Sequence, residues 1–448
     1  MTVDIANGAG FWGDYPDATE RLLEYGSVDY LTLEYLAEVS IGILARLERS
    51  DRPGYVTDFL EFVVDDHIDT IADRDVSVVT NAGGLDPQAC ARAVTDRAAD
   101  RGVDVRVAVV TGDDVLGRLP EIKRAGNDLA DIDSGEPFDA VESASAAVAY
   151  LGAFPIADAL DDGADVVVTG RVADPALALG PLIHEFGWTR DDHDLLAAGT
   201  VAGHLTECGP QVTGGNYLGG WRDVSFDDVG FPIAEVDRNG RITVTKPPDT
   251  GGKVTTGTVA EQLVYEIGDP TAYVTPDVVA DFTSPAVTQV GEDRVAIDGA
   301  TGTEPTDEYK VTIHYPAGFK LAGKLLYSRP DALEKARRAA EILESRIDEL
   351  GLAIDRTHVD YVGHDAAHGP VAPTRESYNE ILLRFAAKSD SRSDLRRLAM
   401  EFAPLSLAGP PAVAGLTDQG RPSPRRIVDA WPTLISKRWA TPEVTVYD

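Results

Sequence analysis

Cysteine is nearly absent from this sequence. Only Cys90 and Cys208 occur in 448 residues; they stand far apart, which excludes a disulfide framework and fits a reducing, cytoplasmic setting. No run of about 18 apolar residues exists, so no membrane-spanning helix is expected. The opening segment, Met1–Gly10, has neither a basic nor a long apolar stretch, so no secretory signal is expected. Clusters of cations are missing too, which sets sequence-independent nucleic-acid binding aside. Several catalytic motifs are also lacking. No G-x-x-x-x-G-K-[ST] occurs and no G-x-G-x-x-G follows the first strand, against an ordinary triphosphate or dinucleotide site. G-x-S-x-G, H-E-x-x-H and C-x-x-C are absent as well.

Acid, by contrast, is abundant: 75 Asp and Glu face 40 Lys and Arg, a formal net charge of −35. The acidic residues are dispersed, as over Asp58–Asp75, Asp131–Asp139, Asp161–Asp165 and Asp223–Asp228, and form no tail. A disordered chain would lack the aliphatic content seen here. A dispersed acidic skin on a normal core suits a cytoplasmic protein of an extreme halophile, because in molar salt the Debye length falls to about 3 Å and screens self-repulsion. The charge speaks of habitat, not of function.

At this length two domains are expected. Over the first 190 residues strands and helices alternate. A strand from Val3 runs into the turn at Asn7-Gly8, and Pro16–Tyr25 reads as a helix with Asp14 as its N-cap. Val28–Leu36 and Ser77–Gly84 read as strands, and Asp86-Pro87 opens a helix over 88–101. Val103–Asp114 is a further strand, Val141–Asp161 an Ala-rich helix, and 164–170 a strand buried on both faces. This alternation predicts an α/β fold: a mostly parallel sheet with flanking helices in the N-terminal half. From about residue 231 short alternating runs predict a β-rich α+β region, beginning with a hairpin over Pro232–Lys246 about Asn239-Gly240. Residues 331–350 read as a charged amphipathic helix, 353–362 as a strand, and 375–387 and 391–402 as helices. The expected domains are an α/β unit over 1–230, the β-rich region over 231–362 and a helical tail over 363–448.

Small polar residues follow each early strand: Asn7, Asn81 with Gly83 and Gly84, Asp113, and Thr169-Gly170-Arg171. In a parallel sheet these turns leave one edge, where ligands bind, so they predict a shared cleft for a small molecule. Arg171 suits bidentate capture of a carboxylate or phosphate, or a turn-holding ion pair with Asp174. The glycine pair makes either an anion-binding nest or only a sharp turn. His204, Glu207 and Cys208, at i, i+3 and i+4, share one helix face and could ligate a metal, supply a nucleophile with its acid/base partner, or be core residues. No metal site is assigned. Gly214, Gly215, Asn216 and Lys246 lie in further glycine-rich turns, with Lys246 a carbonyl or anion ligand or a surface lysine.

Several stretches carry a resemblance. NGAGFWGD (Asn7–Asp14), VDYLTLEYLAE (Val28–Glu38), TNAGGLDP (Thr80–Pro87), TGRVADPALALGPLIHEFGW (Thr169–Trp188), AAGTVAGHLTECGPQVTGGN (Ala197–Asn216) and TKPPDTGGKVT (Thr245–Thr255) resemble the acyclic terpene utilisation family, AtuA, over about residues 3–360. The resemblance implies a role in catabolism of acyclic terpenes such as citronellol and geraniol, and more broadly of acyl-CoA thioesters or branched carboxylic acids. It implies association with acyl-CoA carboxylases and enoyl-CoA hydratases. Members often carry a C-terminal ferredoxin-like domain or have it as a separate small protein. With no copy visible after residue 370, the resemblance implies a separate small ferredoxin-like subunit; a homo-oligomer is also expected. It carries over neither a catalytic residue nor a cofactor.

Two readings follow. One is a lyase or hydratase acting on a small carboxylate or acyl-CoA, with Arg171 on the acid group and His204 or Glu207 moving a proton. The other is a non-catalytic ligand-binding or scaffold subunit. Whether Asn7, Asn81, Asp113, Arg171 and His204 meet at one pocket separates them.

Overall fold

Segments rich in valine and leucine, covered on both faces, form the centre of the main sheet. β1 (Thr2–Asn7), β2 (Tyr30–Leu33), β3 (Ser77–Thr80) and β4 (Val107–Thr111) are followed by the short β5 (Ala146–Ala149) and by β6 (Val166–Thr169). In the computed structural model, which describes residues 1–25, 28–373, 375–414 and 420–447, β1, β2, β3, β6 and β4 lie side by side in that order. All five run parallel, so their carboxyl ends share one edge. Every residue of β2 and β6 is buried, which is why neither strand alternates polar with apolar.

The sheet is mixed, not mostly parallel. β7 (Ile233–Asp237) and β8 (Ile242–Thr245), the hairpin about Asn239-Gly240, add antiparallel beside β1. Next come β9 (Tyr273–Val274), β10 (Val279–Asp281), the hairpin of β11 (Ala286–Gly291) and β12 (Arg294–Asp298), and β13 (Thr301–Thr303). β12 and β11 extend the main sheet beyond β8, while β9, β10 and β13 form a small sheet of their own. The strand Glu443–Tyr447 covers the opposite edge, antiparallel to β4. Much of the alternating sequence after residue 231 therefore completes the first sheet, because β1 offers it an open backbone edge.

Two local expectations are corrected. Val141–Asp161 is not one helix but a short turn, β5, and a helix over Phe154–Asp161. The alanines suit a helix, yet β5 pairs with Val311–His314 of β14 (Glu308–Ser328), a partner too remote in sequence for local pattern to disclose. Asp14 does not cap the helix Ala18–Tyr25; its carboxylate accepts from the Gly10 and Tyr15 N–H groups instead.

The chain divides into two compact units: Met1–His314 with Ala430–Asp448, and Tyr315–Asp429. In the second, the outer part of β14 is followed by the helix Ala332–Glu349, β15 (Arg356–Val362), β16 (Glu380–Ser389), the helix Arg392–Ala399 and β17 (Val413–Ala414). The order β15-β16-β14-β17, with every pair antiparallel, makes two interleaved split β-α-β units, the ferredoxin-like topology. Residues 375–387, expected as a helix, thus hold most of β16. Ile381, Leu383, Phe385 and Ala387 are buried and their neighbours are not, the two-residue period of a strand. Leucine, arginine, alanine and lysine favour helix, and pairing with β14 and β15 overrides them. A ferredoxin-like module therefore lies inside this chain. It begins near residue 315 and so straddles the position after which none was visible in the sequence.

Candidate functional site

The helix His193–Glu207 is buried on all sides from Leu196 to Thr206. A helix of small and apolar residues with no solvent face belongs in an interior, and this one packs against the helix Ala176–Phe186 and against β10 and β13. His204 and Glu207 sit in its last turn. Asn7, at the carboxyl end of β1, donates its amide to the Thr206 carbonyl at 2.6 Å and the Glu207 carbonyl at 3.2 Å. Those carbonyls lie in the last turn, past the reach of the i to i+4 ladder. The Thr206 carbonyl also accepts from the Cys208 N–H at the cap, so Asn7 helps to complete the helix end.

His204 and Glu207 form a one-proton pair. The His204 ring meets the Gln262 carbonyl through Nε2 at 2.8 Å and the Glu207 carboxyl through Nδ1 at 2.9 Å. A carbonyl only accepts, so Nε2 carries a hydrogen, and one proton must lie between Nδ1 and Oε1. Burial works against a charged imidazole, but the charge and hydrogen bond of Glu207 raise His204 above its ordinary pKa. Burial pushes Glu207 up to about 7, although His204 pulls the other way. The carboxyl's second oxygen, Oε2, is buried with no hydrogen-bond partner among the described residues. Rings of Phe282 and Tyr273 lie 5.1 and 5.7 Å from the imidazole and exclude water from it.

Arg171, after β6, is buried and fully engaged at its tip. Its guanidinium donates to the Leu36 carbonyl, meets Asp174 at 2.7 Å and Glu34 at 3.7 Å, and lies 4.2 Å over the Tyr150 ring. Burial opposes its charge, but Asp174, Tyr150 and Glu34 raise its pKa. Glu34 is raised well above the usual carboxylate range by burial and by Asp174, against Arg171. Asn81 donates to Glu34 and accepts from the Tyr35 N–H at 2.8 Å. Asp113 accepts from the Arg171 N–H at 2.7 Å. Gly170 must be glycine here, since a Cβ would stand 2.3 Å from the Asp113 carboxylate.

These elements border a cleft of about 910 Å³. Arg171, Asp174, His204 and Glu207 line it together, with Tyr273 of β9 and Thr275 just after that strand. Glu38, Tyr150 and Lys310 also line it, Tyr150 beneath the Arg171 guanidinium. Lys310 meets Glu38 at 2.8 Å and lies 4.9 Å over the Tyr150 ring, whose hydroxyl donates to Glu38 at 3.3 Å. Val39, Ile132, Val274 and Leu434 supply apolar surface. Burial holds the Tyr273 phenol well above its ordinary pKa, so it stays a donor.

Of the residues singled out in the sequence, Arg171, Asp174, His204 and Glu207 thus meet at the cleft. Asn7 and Asp113 stand one layer behind, bonded to the lining residues Glu207 and Arg171. Asn81 lies further back, bonded to Glu34, which in turn meets Arg171. Thr169 is buried and donates to the Gly170 carbonyl. Gly83 packs against the Thr169 carbonyl and Gly84 against Leu44. The N–H groups of Gly84 and Leu85 are bonded within and across that turn, to Asn81 and Gly54. Cys208 ends the helix, and burial raises its thiol, which keeps it protonated. Gly214 and Gly215 pack against the 253 and 210–211 backbone, and Asn216 donates to Gln211. Lys246 is buried, donating to the Thr250 carbonyl and pairing with Asp293 at 3.2 Å. None of these last residues lines the cleft. Among the described residues, no cluster of three His, Cys, Asp or Glu could hold a metal ion, and no helix is long and apolar enough to cross a membrane.

Sequence pattern does not single out Glu34, Glu38, Tyr150, Gln262, Tyr273 or Lys310. One signal exists for Glu34: it is an acid inside an apolar run that should be wholly buried. Tyr150 and Lys310 are neighbours only because β5 pairs with β14.

No curated protein and no solved structure matches this chain. The profile of the acyclic terpene utilisation family protein AtuA, however, matches residues 3–446. That span takes in the cleft and continues past residue 360, through the ferredoxin-like module. The chain belongs to the acyclic terpene utilisation family, AtuA.

Proposed function

We propose that this protein is a lyase of the hydratase type, which adds water to, or removes it from, a branched unsaturated acyl compound during acyclic terpene breakdown. The observation that carries the reading is the His204–Glu207 pair: a buried carboxyl near neutral pKa, oriented by a histidine, in the wall of a cleft. A group tuned to about 7 gives and takes protons efficiently at neutral pH. In hydration, the Glu207 carboxylate takes a proton from water as the hydroxyl adds to the β-carbon. The electrons move to the carbonyl oxygen, giving an enolate, and Glu207 returns the proton to the α-carbon. His204 keeps Glu207 oriented and shares its proton. The Tyr273 phenol is suited to donate to the enolate oxygen, and the apolar wall to take the branched chain.

The test is turnover in D₂O with branched 2-enoyl thioesters, followed by mass spectrometry. Water addition, or deuterium at the α-carbon, is expected from the native protein, with a loss of at least about 100-fold in Glu207→Gln. No addition and no exchange with thioesters or acids would remove the catalytic reading and leave a ligand-binding subunit.

A further inference from the structure

We infer that the cleft selects the uncharged carbonyl of a thioester over the corresponding free carboxylate, and that Glu38 sets this preference by occupying Lys310. The inference rests on the proton-transfer reading for the identity of the cleft, and it deepens that reading by naming the substrate class.

Among the described residues, the cations lining the cleft are Arg171 and Lys310, apart from the shared proton of His204. Arg171 is held by Asp174, Glu34 and the Leu36 carbonyl. Lys310 is held by Glu38. Against these two cations the lining carries Glu38, Asp174, Glu207, Glu266 and Glu308. A carboxylate entering this space has two options. It can stay unpaired beside like charges, or it can displace Glu38 and leave that carboxylate unpaired in its place. Neither exchange is favourable, although solvent reaches the nearly half-exposed Glu38–Lys310 pair and keeps the penalty modest. A thioester carbonyl meets neither penalty, because it asks only for a hydrogen-bond donor.

Glu38 is built to stay where it is. Its backbone carbonyl accepts from His314 Nε2 at 2.8 Å, and its carboxylate accepts from Lys310 and Tyr150. It is also the first residue of the helix Glu38–Glu48, where the N-terminal partial charge favours an anion. Burial alone raises its pKa, but bonding to Lys310 and Tyr150 holds it below the usual range, so it remains charged.

The experiment is calorimetric titration of the whole chain, at a pH where the acid is fully ionised. The ligands are one branched acyl N-acetylcysteamine thioester and its free acid. The native protein is expected to bind the thioester at least about tenfold more tightly. Glu38→Gln, which releases Lys310, is expected to bring the ratio close to one by improving acid binding. Lys310→Met added to Glu38→Gln is expected to restore the preference, and melting curves check that each variant is folded. Equal or tighter acid binding by the native protein overturns the inference, as does an unchanged ratio in Glu38→Gln, or binding of neither ligand. Preferential thioester binding without deuterium exchange would sink the proton-transfer reading alone. Turnover of the free acid would sink only the selectivity.

Discussion

His204 and Gln262 hold each other at two points. The ring Nε2 donates to the Gln262 carbonyl at 2.8 Å, and the Gln262 side chain donates to the His204 carbonyl at 3.0 Å. The first bond fixes which nitrogen faces Glu207; the second ties the helix Thr256–Leu263 to the one bearing the histidine. Gln262→Ala removes only the second, along with a bond from Gln211 at 2.9 Å. It should lower stability by about 1–2 kcal/mol in urea unfolding while the pH profile keeps its shape. A displaced profile would mean that the side chain also tunes the pair.

His204→Asn should move the acidic limb of kcat/KM, because Glu207 must start as a carboxylate in either direction of the reaction. Burial pushes Glu207 up to about 7, and His204 lowers it from where burial alone would leave it. Without the imidazole the carboxyl holds its proton to higher pH, so the acid-side loss of activity should set in at a higher pH. A limb that stays in place in the variant would show that Glu207 is not the titrating group.

Asp113 makes a prediction about stability. Burial pushes it up to about 7, although backbone N–H groups, including that of Arg171, favour its charged form. In the unfolded chain it ionises near pH 4. Between about 4 and 7 the folded state therefore holds a proton that the unfolded state has lost, and stability declines as pH rises through that window. Above about 7 the decline ends. Asp113→Asn should make the slope shallower by nearly one proton, as read from urea unfolding across the range, and Glu207 should supply part of what remains. An unaltered slope would rule out a proton on Asp113.

Salt should act unequally on the two units. Residues 315–429 carry 17 Lys and Arg against 16 Asp and Glu, whereas the rest carries 23 against 59. Repulsion is thus concentrated in the first unit, and lowering KCl from molar to about 0.1 M lengthens the Debye length from about 3 to 10 Å. Peptide-level hydrogen exchange should quicken in the first unit and change little in the second. A uniform response would contradict this division.

Where an element is fixed by short-range pattern, the sequence discloses it well. The strand at Val166–Thr169, the helix Pro87–Arg101 with its Asp86 cap and the hairpin about Asn239-Gly240 all stand where periodicity and turn chemistry put them. β5 and β16 were hidden because each is a strand only by virtue of distant partners. The cleft divides in the same way. Arg171, His204 and Glu207 are conspicuous by residue type, and the last two by helical spacing. Lys310 and Tyr273 come from strands that look ordinary until the sheets assemble.

The main sheet also has a temporal consequence. β4 is made long before its antiparallel neighbour Glu443–Tyr447, with 332 positions separating Thr111 from Glu443. Until that strand is made, the row of amides and carbonyls on β4 has no permanent partner, while the ferredoxin-like module can already close upon itself. A nascent chain arrested just before Glu443 should consequently be the form most prone to self-association.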